Sequence, residues 1–195
     1  MNETFIDIMR HGEPQGGRRY RGASVDDPLS EKGWQQMRDA VKNTHHWDHI
    51  VSSPLSRCQD FAKELADKLN LTCSVEEELK EIGFGVWEGR TSDDIQQNEA
   101  QALADFLRDP VQNRPQGAEP LNDFADRVWT VYQRLAQQHQ GQHILIVAHA
   151  GVVRAITSKI LGMALNDVYS HLRVEYAAIA HSKISAGKSP MLVLY

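Results

Sequence analysis

The chain has 195 residues, 41% of them hydrophobic and 24% charged, with 21 Lys and Arg against 26 Asp and Glu for a formal net charge of −5. That length supports one sizeable core and argues against two ordinary domains. There is no apolar run of about 18 residues, no dense Lys/Arg stretch, and no basic-then-apolar start in MNETFIDIMRHGE; a membrane partner, a nucleic-acid partner and a cleaved export signal are not expected, and the cytoplasm is the default setting.

Phe5 to Met9 reads as a strand that ends in Arg10-His11-Gly12. Ser30 reads as the N-cap of a helix running to about Val41. His49 to Ser53 is a short buried strand punctuated by Pro54, and Leu55, Phe61, Ala62, Leu65 and Leu69 then recur at helical spacing. Residues 91–119 hold helical pieces such as Ala100 to Leu107 among Pro110, Pro115 and Gly117, which predicts a cap-like insertion over one edge of the sheet. A helix begins near Pro120 and is broken by Gly141. His143 to Ala148 is a nearly continuous apolar strand, and Val152 to Leu161 has helical periodicity. Tyr176 to Ala180 and Met191 to Leu194 read as two further strands. Strands alternating with helices predict an α/β fold: a three-layer sandwich with a mostly parallel central sheet flanked by helices on both faces, in one domain over 1–195.

In such sheets ligands bind beyond the carboxyl ends of the parallel strands, where helix N-termini also point. Arg10 and His11 follow the first strand, Ser52, Ser53 and Arg57 the second, and His149, Ala150 and Gly151 the third. Two histidines and two arginines at one rim suit a phosphate, because guanidinium groups offer bidentate contacts to its oxygens. A metal held by His11 and His149 is the chemical rival, but adjacent arginines oppose a cation and no carboxylate cluster joins them; no metal or cofactor is expected. Cys58 and Cys73 lack ligand spacing and read as free thiols. Hydrolysis of a phosphate ester also needs a proton donor for the leaving oxygen. The glycine-rich stretch Leu79 to Gly89 supplies Glu81 and Glu88, and periodicity does not choose between them.

Arg10-His11-Gly12-Glu13, Asp27-Pro28-Leu29-Ser30 with Gly33 and Gln36, Ser52 to Cys58, the Glu81 loop and Ala148-His149-Ala150-Gly151 together resemble the histidine phosphatase superfamily, also called phosphoglycerate-mutase-like. The likeness spans nearly the whole chain. With Arg19-Tyr20-Arg21-Gly22 and the FGVWEG stretch, it is most similar to the bacterial α-ribazole phosphatase branch of cobalamin biosynthesis. The resemblance implies a metal-independent phosphomonoesterase in which His11 is the nucleophile and forms a phosphohistidine. It implies that Glu81 is the acid/base and that Arg10, Arg57, His149 and Ala150 bind phosphate, with His149 also catalytic. His11 would then be neutral and His149 protonated, which asks the site to push two histidine pKa values apart. Glu13, Arg19, Tyr20, Arg21 and Trp87 are candidates for the substrate pocket. The chain departs from the family where Pro14 and Gly17 replace a Thr/Ser and a phosphate-contacting Asn; Gly16, Gly17, Arg18, Arg19 or Arg21 are the candidates to compensate.

The expected substrate is a small organic phosphate, first α-ribazole 5'-phosphate, and a homodimer is left open. A phosphoglycerate mutase or sugar bisphosphatase is the alternative enzyme, although such mutases usually carry a longer insertion. A non-catalytic phospholigand-binding module is the alternative outside enzymology, but binding alone needs neither a nucleophile nor an acid/base residue.

Overall fold

The computed structural model describes residues 3–43, 46–185 and 187–194. Six strands form one sheet: β1 (Thr4–Arg10), β2 (His49–Ser52), β3 (Thr72–Val75), β4 (His143–Ala148), β5 (Ile179–Ile184) and β6 (Met191–Val193), in the order β3-β2-β4-β1-β5-β6. β3, β2, β4 and β1 pair in parallel, while β5 and β6 are antiparallel additions. β4 lies between β2 and β1, which explains its unbroken apolar run HILIVA: every residue after His143 is buried.

Alternation along the strands divides the core into two layers. Ile6, Ile8, Ile144 and Ile146 face α5 (Leu121–Gln138) and α6 (Ala150–Leu161), where Phe124, Val128, Tyr132 and Ile156 cover them. Met9, Ile50, Leu145 and Val147 face α1 (Glu31–Val41) and α2 (Ser56–Leu69), where Met37, Phe61 and Leu65 cover them. The helices on both faces make the three layers expected from the sequence. Ser30 caps α1 as expected, its Oγ accepting the Gly33 N–H at 3.0 Å. No helix among the described residues is long and apolar enough to cross a membrane.

Three elements differ from the sequence reading. The strand expected over Tyr176 to Ala180 lies three residues later, at β5. Residues 175–178 instead turn, with Ala177 at φ 58°, and clamp the end of β1: Arg10 N–H donates to Ala178 and Ala177 N–H to the His11 carbonyl. The polar segment HSKI pairs as a strand because its side chains find partners across the sheet. His181 Nδ1 meets the buried Asp7 carboxylate at 2.7 Å, and Ser182 Oγ donates to the Ile6 carbonyl at 2.8 Å. β3 and the seven-residue α7 (Leu165–His171) are additional.

Residues 92–108 form α3 (Ser92–Asn98) and α4 (Ala100–Arg108). Their Ile95, Leu103 and Phe106 pack with Trp87 in a small separate core, with Tyr20 and Phe84 at its edge.

Candidate active site

β2, β4 and β1 are neighbours, so their carboxyl ends deliver side chains to one place. His11 leaves β1 with its N–H donated to the Ala148 carbonyl at the end of β4. Beyond His11 the chain runs directly against the start of α1. A Cβ on Gly12 would lie 2.2 Å from the Gly33 carbonyl oxygen, and a Cβ on Gly33 would lie 2.1 Å from that of Glu13. Neither position has room for a side chain, which ties the glycine after His11 to the glycine of the Pro28-Leu29-Ser30 segment.

His11 Nδ1 is 2.7 Å from the Gly12 carbonyl oxygen. A carbonyl only accepts, so Nδ1 carries the proton and Nε2 keeps its lone pair. His149 follows β4 and is wholly buried behind His11, the two ring centroids 5.3 Å apart and edge to face. Its Nε2 is 2.7 Å from Ser53 Oγ, and the Cys58 thiol, which donates to the Ala148 carbonyl, packs 3.7 Å from the same nitrogen.

Arg57, in the first turn of α2, is 1% exposed. Its Nη1 donates to the Val25 carbonyl at 2.8 Å and its Nη2 to that of Gly22 at 3.0 Å. Arg10 lies over the Tyr176 ring, 4.0 Å from its centroid, and donates Nη1 to the Val174 carbonyl at 2.6 Å. A cavity of about 180 Å³ joins Arg10, His11, Arg57, Glu81 and Ala150, and Arg18, Arg19, Tyr20, Arg21, Gly22, Phe84, Arg154 and Tyr176 complete its wall. The Nε groups of Arg10, Arg19 and Arg57 are buried without an acceptor among the described residues. Unsatisfied buried donors are costly, and three of them on residues around one cavity match an anion.

The two loop carboxylates are distinguished by their partners. Glu88 accepts the backbone N–H groups of Ala23, Ser24 and Phe84 at 3.2, 3.0 and 2.8 Å, and the Ser24 hydroxyl as well. It pins the loop whose carbonyls hold Arg57. Glu81 accepts the Ile82 N–H at 3.0 Å and the Gly151 N–H at 3.3 Å, and lines the cavity.

Of the pocket candidates, Arg19, Tyr20 and Arg21 line the cavity, whereas Glu13 and Trp87 do not. Glu13 pairs with Lys32 at 2.8 Å. Trp87 is 1% exposed, packs against Tyr20 and Phe106, and donates Nε1 to Glu99 at 2.9 Å, so it supports the wall from behind. Arg21 is a brace: it pairs with Asp27 at 2.9 Å and donates to the Gln15 and Gly17 carbonyls. Arg18, a candidate to replace the missing Asn contact, lines the cavity too, whereas the lining residues Arg154 and Tyr176 are not among the candidates named from the sequence. Arg154 had a usable signal, since it follows Ala150 by four residues and therefore shares its helix face.

The opposed histidine pKa values expected from the sequence are not found: both are shifted the same way. Burial, then the charges of Arg57 and Arg10, push His11 far down, opposed by its bond to Gly12. Burial, then Arg57, His11 and Arg10, push His149 far down as well. Both rings are buried beside fixed cations, which favours the neutral form of each.

The family profile described as Histidine phosphatase superfamily (branch 1) matches residues 6–194. Phosphoserine phosphatase 1 of Hydrogenobacter thermophilus is 30% identical over 169 residues, covering 84% of this chain and 79% of that protein. The adenosylcobalamin/alpha-ribazole phosphatase of Escherichia coli is 29% identical over 172 residues, covering 86% and 84%. Among solved structures, Bacillus stearothermophilus YhfR superposes with a TM-score of 0.89 at 26% identity, covering 98% of this chain and 96% of that one.

Proposed function

The chain belongs to the histidine phosphatase superfamily, and from that footing we propose that it is a metal-independent phosphomonoesterase working through a phosphohistidine at His11. The observation that carries this reading is the His11 ring, fixed by Gly12 so that an unprotonated Nε2 is left in a cavity lined by arginines and Glu81. Nε2 attacks phosphorus as the ester P–O bond breaks, and Glu81 gives its proton to the leaving oxygen. Water then attacks the phosphohistidine, Glu81 takes its proton, and the P–N bond breaks to release inorganic phosphate. Arg10 and Arg57 offset the charge that builds on the phosphoryl oxygens, the part a divalent cation plays elsewhere. His149, behind His11, gains a proton when the dianion offsets the arginines, and then adds a third positive charge.

The leading substrate is α-ribazole 5'-phosphate. Its support is the likeness to the Escherichia coli relative and the aromatic side of the cleft, where Tyr20 packs 5.0 Å from Phe84 and 6.1 Å from Phe106, centroid to centroid. A phosphoglycerate mutase or sugar bisphosphatase is the second reading, favoured by the excess of arginines over carboxylates in the cleft. A cavity of this size suits a small ester rather than a nucleic acid, residues 91–119 act as a cap over the aromatic side, and the unpaired Cys58 and Cys73 are in keeping with a cytoplasmic enzyme.

The test is hydrolysis of p-nitrophenyl phosphate with EDTA present. Activity persists, is lost in His11→Ala, and a quenched reaction contains phosphohistidine. Activity abolished by the chelator, or full turnover by His11→Ala, overturns the reading.

A further inference from the structure

His149 is enclosed by groups that the phosphoryl chemistry has not used. Ser53 and Cys58 are both 0% exposed. Ser53 Oγ lies 2.7 Å from His149 Nε2, accepts the Leu55 N–H at 3.4 Å, and is within reach of the Cys58 sulfur. That sulfur sits 3.7 Å from Nε2 and 3.8 Å from Nδ1, and its S–H donates to the Ala148 carbonyl at 3.2 Å. Burial pushes the Cys58 thiol up, so it keeps its proton. The charged and titratable groups facing the ring from elsewhere are Arg57 from α2, His11 and Arg10 from the end of β1, and Arg127 from α5; Glu81 and Asp26 act on the Cys58 side.

The free site favours a neutral His149, whereas a bound dianion favours the protonated ring. A buried ring that changes charge needs a partner able to serve both forms, because a buried polar group left without one is costly. A carbonyl only accepts and an amide N–H only donates. A hydroxyl has one donor and two acceptor sites, so it can do either.

We propose that Ser53 and Cys58 are a pair of positioning residues that let His149 gain and lose its proton in place. With the ring neutral, the Ser53 O–H donates to Nε2. When Nε2 takes a proton from solvent, the hydroxyl turns, accepts the Nε2–H and donates to the Cys58 sulfur, whose own S–H stays on the Ala148 carbonyl. Every donor and acceptor among the three side chains' facing groups is paired in both states, and only hydrogens move. The proposal rests on the phosphatase reading and deepens it.

The test is the pH profile of kcat. Hydrogen bonds to a charged ring are stronger than those to a neutral one, so losing the hydroxyl penalises the protonated form more and lowers the His149 pKa in the anion-bound site. The protonated ring is the active one, so in Ser53→Ala the alkaline limb moves to lower pH by about one unit and kcat on that limb falls about tenfold, with KM changed less. Cys58→Ala removes the acceptor for the turned hydroxyl and moves the limb the same way, whereas Cys58→Ser, still able to donate to Ala148 and accept from Ser53, restores it. A merely structural role lowers Tm and scales kcat equally at every pH. Nitrogen NMR of the imidazole rings reads the same event without turnover: Nε2 of His149 is bare in the free protein, sulfate brings a proton onto it, and Ser53→Ala needs a lower pH for that step. A limb unmoved in Ser53→Ala, a limb at the same pH in Cys58→Ala as in Cys58→Ser, or a proton on Nε2 in the free protein overturns the pair. A protein that hydrolyses no ester but shows the displaced titration in sulfate defeats the phosphatase reading and leaves the pair standing.

Discussion

Glu81 and Gly151 meet across the rim of the sheet: Glu81 Oε2 accepts the Gly151 N–H at 3.3 Å, and a Cβ on Gly151 would lie 2.2 Å from Oε1. Gly151 is helical, so alanine there gains about 1 kcal/mol of helix propensity. The added methyl displaces the far end of the Glu81 side chain and presses on Phe124 Cζ at 3.1 Å. Gly151→Ala therefore keeps its fold and loses catalysis. Misplacing an acid/base group by about 1 Å costs on the order of 100-fold, so kcat should fall by about that factor with little change in Tm. A large fall in Tm with kcat preserved would remove Glu81 from the role.

Glu81 and Glu88 make a matched pair of tests. Glu81→Gln keeps shape and removes the exchangeable proton, so kcat falls about 10²- to 10⁴-fold. Activated esters such as p-nitrophenyl phosphate suffer less than alkyl phosphates, because their leaving group needs no proton. Glu88→Ala strips acceptors from three backbone N–H groups and a hydroxyl. It costs about 1 to 3 kcal/mol, seen as a lower Tm, with a secondary loss of activity through the loop that holds Arg57. The reverse pattern in the two variants would exchange their roles.

The reason these two carboxylates could not be separated in the sequence is general to this protein. What was legible came from local pattern: runs such as His143 to Ala148 announce strands buried on both faces, and the polar residues just past them announce a rim. What was hidden depends on contacts across the fold. β3 is an edge strand, half exposed, and TCSV carries no apolar run. β5 was misplaced because its His181 and Ser182 are satisfied by Asp7 and the Ile6 carbonyl, about 175 residues away. Glu88 differs from Glu81 through the 23–24 segment that closes on it, and Glu81 through Gly151 and the cavity it lines. The lowered pKa of both histidines likewise comes from burial between Arg57 and Arg10, a joint effect that no single strand displays.

Arg57→Lys keeps the charge and loses the fork. The guanidinium spans two carbonyls, Val25 and Gly22, and keeps a third donor free. An ammonium on a shorter stem cannot reach both and still face a phosphoryl group. The loss of one positioned donor at developing charge is worth about 10²- to 10³-fold in kcat. Recovery of near-normal kcat in Arg57→Lys would show that charge alone suffices there.

The two depressed histidines set how stability depends on pH. In the unfolded chain each titrates near about 6.5. Above that pH both states are neutral and neither ring contributes. Below it the unfolded chain takes up protons that the folded chain refuses, so stability falls as pH falls, by up to about 1.4 kcal/mol per unit for each ring. Tm therefore falls between pH 7.5 and 5.5. Asp7 acts in a different window. Burial raises its pKa, but the bonds from His143, Trp47 and His181 prevail and lower it, so its contribution is lost only as pH falls below the ordinary carboxylate range. In His11→Asn the loss between pH 7.5 and 5.5 should be smaller than that of the wild type. Sulfate, a dianion throughout this range, offsets the arginines and favours protonation of His149, so the Tm rise it produces should grow as pH falls. A Tm that stays level from pH 7.5 to 5.5 would mean that the folded site takes up the same protons as the unfolded chain, and the neutral pair at the rim would have to be abandoned.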